Sequence, residues 1–238
     1  MTMNRKRTSI LISGRGSNMA ALIAAAADPS FPAEIVSVIS NDAEANGLQM
    51  AAQNGIQTRA IARKDYPSRE EHDAAIDAAL GESRSEMVCL AGYMRRLTAG
   101  FVEKWSGRMI NIHPALLPAF KGLDTHAAAL SAGVRIHGCT VHFVTAEVDA
   151  GPIIAQAAVP VPAEDDEAAL AARVLKAEHQ LYPLALSLVA SGRAVLKDGK
   201  VVHYGRNAGD TGDVLISPAP PSSDPGAVDL EHLARFTP

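Results

Sequence analysis

Residues 9–18 read Ser-Ile-Leu-Ile-Ser-Gly-Arg-Gly-Ser-Asn: a short apolar run, a turn with two glycines, then an alanine-rich stretch. An apolar run of that length ending in Gly and passing at once into helical composition is the opening of a β–turn–α unit. The pattern recurs outward from it. Residues 35–39 (IVSVI), 58–61, 87–90 and 109–112 are further short apolar or β-branched runs, and residues 18–27, 42–54, 69–80 and 98–105 are the helical stretches between them. Strand–helix–strand repetition at this spacing implies right-handed crossovers and a mainly parallel sheet, whose buried strands tolerate continuous apolar runs. After residue 134 the pattern changes. Residues 139–145 (CTVHFVT) and 153–161 (IIAQAAVPV) alternate, with a turn region at 149–151, and read as an antiparallel pair added to the sheet. The expected class is α/β: an open, mostly parallel, twisted sheet with an antiparallel extension.

A long helix is expected over residues 165–191, with an apolar stripe of Leu170, Val174, Ala177, Leu181, Leu184 and Leu188 and a kink at Pro183. A short hairpin, residues 194–196 and 201–204 around Asp198-Gly199, closes the compact part, so residues 1–204 are expected to form one domain. Residues 205–238 hold five of the fourteen prolines and are read as a Pro/Gly-rich tail with one short helical possibility at 228–235.

Composition narrows the function classes. The chain has 238 residues with a formal net charge of -4, and only 4% of residues are aromatic. Mild acidity disfavours bulk nucleic-acid binding, and few aromatics disfavour single-strand stacking platforms. Two cysteines, Cys89 and Cys139, make no disulfide framework. The N-terminal apolar run is too short for a signal segment and no run approaches ~18 apolar residues. A cytoplasmic domain that handles small molecules, away from membranes and nucleic acid, is the expectation.

Three places carry chemistry. In Gly14-Arg15-Gly16-Ser17-Asn18 the glycines allow close backbone approach, the following helix N-terminus offers free N–H groups, and Ser17 and Asn18 add donors. The loop lacks the third Gly of a dinucleotide fingerprint and the Lys-Ser/Thr of a triphosphate loop, so it suggests a monophosphate; an ordinary tight turn with Ser17 as N-cap fits the same residues. Asn111-Ile112-His113-Pro114 ends a strand, and alternation puts Asn111 and His113 on one side, at the carboxyl end where α/β sheets bind ligands. An amide donor beside an imidazole suits a growing oxyanion and a moving proton. Asp149, in Asp149-Ala150-Gly151-Pro152, can orient an imidazole or simply complete a turn. His126, His137 and His142 join His113 within thirty residues, but their spacings match no metal motif, so no metal is expected.

In this order the segments ISGRGSN, SREEHD, LAGYMRRL, MINIHPALLPAFKGLDTH, HGCTVHFVTAEVDAGPII and EHQLYP resemble the glycinamide ribonucleotide formyltransferases of the folate-dependent formyltransferase superfamily. The resemblance covers roughly residues 8–204; Arg15 and Ala150 fall where that family varies. It implies a Rossmann-like formyltransferase fold and transfer of a formyl group from 10-formyltetrahydrofolate, a co-substrate rather than a bound cofactor, to the amine of 5'-phosphoribosylglycinamide in purine biosynthesis. It implies that Asn111, His113 and Asp149 form the catalytic trio and that Gly16, Ser17, Asn18 and Glu178 hold phosphoribosylglycinamide. It also implies that Arg69, Met94, Arg95, Arg96, Leu97 and Asn111 line the folate site, with residues 144–149 closing over the pterin. A monomer or homodimer with small-molecule partners is expected. Formyltetrahydrofolate deformylase, which passes the formyl group to water, and a non-catalytic phosphometabolite binder are the competing readings.

Overall fold

A computed structural model of the chain describes residues 5–205. The expectations for residues 206–238, including the helical possibility at 228–235, lie outside the described residues.

Among the described residues, nine strands and six α-helices follow in the order β1 (Lys6–Ile12), α1 (Ser17–Ala26), β2 (Ala33–Ser40), α2 (Asn46–Gln53), β3 (Gln57–Ala60), α3 (Arg69–Glu82), β4 (Met87–Leu90), α4 (Ala99–Lys104), β5 (Met109–His113), α5 (Thr125–Ser131), β6 (Ile136–Phe143), β7 (Ile153–Pro160), α6 (Glu167–Ala190), β8 (Ala194–Lys197) and β9 (Lys200–His203). Seven strands form one sheet in the order β3-β2-β1-β4-β5-β6-β7. The first five are mutually parallel, β6 pairs antiparallel with β5, and β7 pairs antiparallel with β6. β8 and β9 make a separate hairpin. Chain order reverses between β1 and β4, so the turn after β1 opens at a topological switch point, where open α/β sheets bind ligands.

The sheet is covered on both faces. One core joins Ile10, Ile12, Cys89 and Ile110 to Met19 and Leu22 of α1 and to Leu170, Val174, Tyr182 and Leu186 of α6. The other joins Leu11, Ile39, Val88 and Met109 to Ile76 and Leu80 of α3 and to Phe101 and Trp105. Alternate residues of one strand thus serve opposite cores, which is why β1 and β4 read as unbroken apolar runs. The helices start where their caps dictate. Ser68, Thr98 and Asp166 accept a backbone N–H from the first turns of α3, α4 and α6.

Some boundaries differ from the sequence expectation. α1 starts at Ser17 on a left-handed Gly16 cap with no side-chain cap, so Ser17 is not the N-cap. α5 was not anticipated; its alanines carry no helical stripe long enough to register. α6 runs unbroken through Pro183. Its buried face is Leu170, Val174, Glu178, Leu181, Tyr182, Ala185 and Leu186, and Leu184 is 52% exposed. Over so long a helix the covered face drifts from the assumed stripe, because it follows the twist of the sheet beneath it.

Candidate active site

The turn after β1 is built for backbone approach. Gly16 has φ 76, and a Cβ there would lie 2.9 Å from Met19 Cε and 3.2 Å from Gly47 Cα. The α1 and α2 N-termini therefore close on each other, sealed by Gly47 N–H donating to Gly14 O at 3.1 Å. Above them sits a cavity of about 330 Å³ lined by Ser13, Gly14, Arg15, Gly16, Ser17 and Asn18, with Glu178 of α6 on the far wall. Asn18 Nδ2 donates to Glu178 Oε2 at 2.7 Å, while Asn18 Oδ1 is buried with no protein partner. Burial pushes the Glu178 carboxyl above its usual range, against the pull of the Asn18 donor. Free helix N–H groups on one side and a buried carboxylate–amide pair on the other suit a ligand with a phosphate at one end and donors at the other.

The carboxyl end of β5 separates this cavity from a second, smaller one. Ile112 and Pro114 line the first; Asn111 lines the second, with Tyr93, Arg95, Arg96, Leu97, His142 and residues 144–149. Asn111 and His113 project to the same side, as alternation requires, with His113 buried. His113 Nε2 donates to Phe120 O at 2.9 Å, and its Nδ1 faces Asp149 Oδ2 at 3.4 Å. Both ring nitrogens thus face oxygens that only accept. Asp149 sits at φ 51 in the turn after β6, a left-handed conformation that Asp tolerates, and its Oδ2 also accepts Gly122 N–H at 3.0 Å. Phe120 and Asp124 are left-handed too, at φ 54 each. Non-glycine residues held there mark a backbone over-determined by its surroundings.

His142 belongs to the same cluster. Its Nδ1 donates to Phe143 O at 2.9 Å, which leaves Nε2 to accept from Asn111 Nδ2 at 3.2 Å. Burial holds His142 below its usual pKa, opposed by the Phe143 bond and the Asp149 charge. A neutral ring so fixed in tautomer sets the face of the Asn111 amide and leaves the second amide hydrogen for a ligand. Read from sequence, His142 is only one of a cluster of four histidines. The signal was the antiparallel register that pairs Asn111 with His142 and His113 with Thr140, and register is not legible without the partner strand.

The remaining expected residues divide. Arg95, Arg96 and Leu97 line the second cavity; Met94 lines the first and is 70% exposed. Arg69 is exposed at the start of α3 and lines neither cavity. His126 and His137 pack edge to face, 5.6 Å between ring centroids, and His137 Nε2 donates to Pro114 O at 3.1 Å. Among the described residues, no three His, Cys, Asp or Glu side chains converge as metal ligands. No described helix is long and apolar enough to cross a membrane.

The open α/β sheet thus carries two adjacent cavities at the carboxyl ends of its strands, with Asn111, His142 and Asp149 in the wall of the second. A family model described as formyl transferase matches residues 6–186, and the chain belongs to that family. It is 53% identical over 79% of its length to "Trifunctional purine biosynthetic protein adenosine-3" of Gallus gallus, of which it covers 19%. The chain thus spans about a fifth of the first curated relatives it matches. It is 45% identical to "Phosphoribosylglycinamide formyltransferase" of Escherichia coli, over 77% of this chain and 87% of that one. Among solved structures, the phosphoribosylglycinamide formyltransferase of Brucella melitensis is 57% identical with a TM-score of 0.76, over 79% of this chain and 97% of that chain.

Proposed function

We propose that the chain transfers the formyl group of 10-formyltetrahydrofolate to the amine of 5'-phosphoribosylglycinamide, in the cytoplasm. The observation that carries this reading is the pair of cavities on either side of the β5 end, with Asn111 and Asp149 in the wall of the second and Asp149 facing the buried His113 at 3.4 Å. The phosphate-loop cavity holds the ribonucleotide, with Gly16, Ser17 and Asn18 on its phosphate and Glu178, bonded to Asn18, on the adjoining sugar or glycinamide part. The cavity of Arg95, Arg96, Leu97 and residues 144–149 holds the folate, with the formyl group between the two. The identities to proteins named for this transfer support the same substrates. Met94, which lines the ribonucleotide cavity, and Arg69, which lines neither, stay in the folate assignment on the resemblance alone.

In the proposed reaction the amine nitrogen bonds to the formyl carbon and the carbonyl electrons move to oxygen. The resulting O⁻ takes hydrogen bonds from the free Asn111 amide hydrogen and from His113 Nε2. His113 gives that proton to Phe120 O in the structure, so the formyl oxygen takes the place of this carbonyl. One such donor is worth about 10²–10³ in turnover, about 2.7–4 kcal/mol. Collapse breaks the bond from carbon to the folate nitrogen. The proton lost by the attacking amine reaches that nitrogen through His113 or a water. Asp149 orients His113 and balances its charge. Holding both substrates in register supplies up to about 7–11 kcal/mol more. No covalent enzyme intermediate is required.

The deciding experiment is formyl release from 10-formyltetrahydrofolate by the purified chain, with and without phosphoribosylglycinamide. Release only with the amine, and formation of the formylated ribonucleotide, is the expected result. Release to water without the amine would make the chain a deformylase, and no release in either case a binding protein.

A further inference from the structure

The loop that follows His113 carries no regular structure, yet Pro114 O, Ala115 O and both backbone polar groups of Leu117 are bonded to side chains of neighbouring elements. Thr140 Oγ1 donates to Ala115 O at 2.7 Å and accepts Leu117 N–H at 3.0 Å. Gln156 Nε2 donates both to Thr140 Oγ1 at 3.0 Å and to Leu117 O at 2.9 Å. These are not scattered contacts. His113 is the cross-strand partner of Thr140, and Thr140 the partner of Gln156, so one row across β5, β6 and β7 carries the imidazole and both groups that hold its loop. Facing side chains in such a row lie on one side of the sheet. The second half of the loop is held differently: its ties are Phe120 O to His113 and Gly122 N–H to Asp149, bonds to the reacting groups themselves.

We infer that the Thr140–Gln156 pair is a positioning device for His113: it fixes Leu117 and so sets the place from which the Phe120 carbonyl reaches the imidazole. The inference rests on the proposed formyl transfer for its kinetic consequence, but the geometry it asserts is independent of it. Neither residue touches the two substrate cavities. Thr140 is fully buried, whereas Gln156 is exposed on the edge strand β7, where the amide of a long side chain reaches back over the sheet to the loop. Replacing Gln156 therefore unties the loop without opening the core. With Leu117 free, the Phe120 carbonyl no longer presets the ring plane in which the formyl oxygen replaces it, and the imidazole meets the formyl group out of line with Asp149.

The test compares Gln156→Glu, which keeps length but loses both N–H donors, with Gln156→Ala, Thr140→Val and Thr140→Ser. In each, kcat and both KM values are measured on the full chain. Exchange of the His113 Nε2 proton with water is followed by NMR, the resonance being assigned by its loss in His113→Asn. The expected result is a fall in kcat on the order of tenfold to 10²-fold in both Gln156 variants, with both KM values little changed, since small misplacements remote from chemistry act on turnover. Thr140→Val falls likewise, Thr140→Ser recovers most of the loss by restoring the hydroxyl, and the His113 proton exchanges faster wherever the clamp is cut. Parental kcat and parental exchange in Gln156→Glu would overturn the inference, as would a rise in KM at parental kcat. A parent chain that transfers no formyl group sinks the proposed reaction instead, and the exchange measurement still decides the clamp.

Discussion

The Gly151 position makes the sharpest demand on the site. A Cβ built there would lie 1.7 Å from Phe143 O, 2.9 Å from its carbonyl carbon and 3.2 Å from His142 Nδ1. The first contact has to open to at least 3.0 Å, and the neighbour it meets is backbone, so the β6–β7 turn itself must move by more than an ångström in Gly151→Ala. That turn is what carries Asp149. With His113 Nδ1 and Asp149 Oδ2 already 3.4 Å apart, a shift of this size breaks the pair or the Gly122–Asp149 bond. Overpacking of this kind costs about 1–3 kcal/mol of stability, and a 1 Å misplacement at a reacting group costs on the order of 10²-fold in turnover. Gly81→Ala is the control: it lies within α3, a Cβ there meets nothing within 4 Å, and alanine should hold or raise stability by up to about 1 kcal/mol. Thermal unfolding and steady-state kinetics on both variants read the two effects separately. A Gly151→Ala chain with parental melting temperature and kcat would refute the reasoning, because it would mean the turn is not pinned against β6.

Two further outcomes follow from the same contacts. Asp149→Asn keeps the left-handed turn and an oxygen for Gly122 N–H but removes the charge facing His113, so kcat should fall by at least about 10²-fold with both KM values little changed; kinetics on a variant with a parental circular dichroism spectrum checks this, and near-parental kcat would confine Asp149 to holding the loop. Burial holds His126, His137 and His142 below the ordinary 6.5, so on acidification the unfolded chain takes up protons that the folded chain refuses. The stability they contribute is present above about pH 6.5 and is lost as pH falls toward their folded values. Glu178 works in the other direction: its pKa is raised above 4.5, so its contribution is lost as pH rises through that interval. The melting temperature should fall as pH drops from about 7.5 to 5.5; a flat or rising profile would contradict the three histidines being held below their ordinary pKa by desolvation.

The strand–helix alternation, the antiparallel extension and the turn at Gly16 were legible because they rest on local signals: apolar period, glycine and helical composition. The Asn111–His113 pair was legible for the same reason, since two residues apart on a strand means one side. Asp149 was recognisable as a turn residue, and only the fold brings it across to His113. What stayed hidden is what depends on register. His142, Thr140 and Gln156 lie opposite Asn111, His113 and Thr140 only because β6 and β7 pair as they do, with an irregularity between Val141 and His142 that no local pattern announces. α5 was missed because seven residues give too little period to read, and the face of α6 was misjudged at Leu184 because the sheet it covers is twisted.

The same bonds hold the loop and serve the chemistry, and this constrains how the site can work. Phe120 O accepts the His113 proton that the proposed oxyanion needs, and Gly122 N–H donates to the Asp149 carboxylate that faces His113. Binding of the formyl group must therefore displace Phe120 while the Gly122–Asp149 bond and the Thr140–Gln156 clamp hold the loop at both ends. The moving part is then confined to the few residues between Leu117 and Gly122, whose left-handed Phe120 is the one most readily relaxed when its carbonyl is released. A site arranged in this way keeps His113 satisfied while empty, so the buried donor is never left unpaired. It gives that donor up only to an acceptor at least as strong as a peptide carbonyl. A developing oxyanion meets that condition better than the ground-state formyl oxygen does, which places the gain in the transition state rather than in substrate binding.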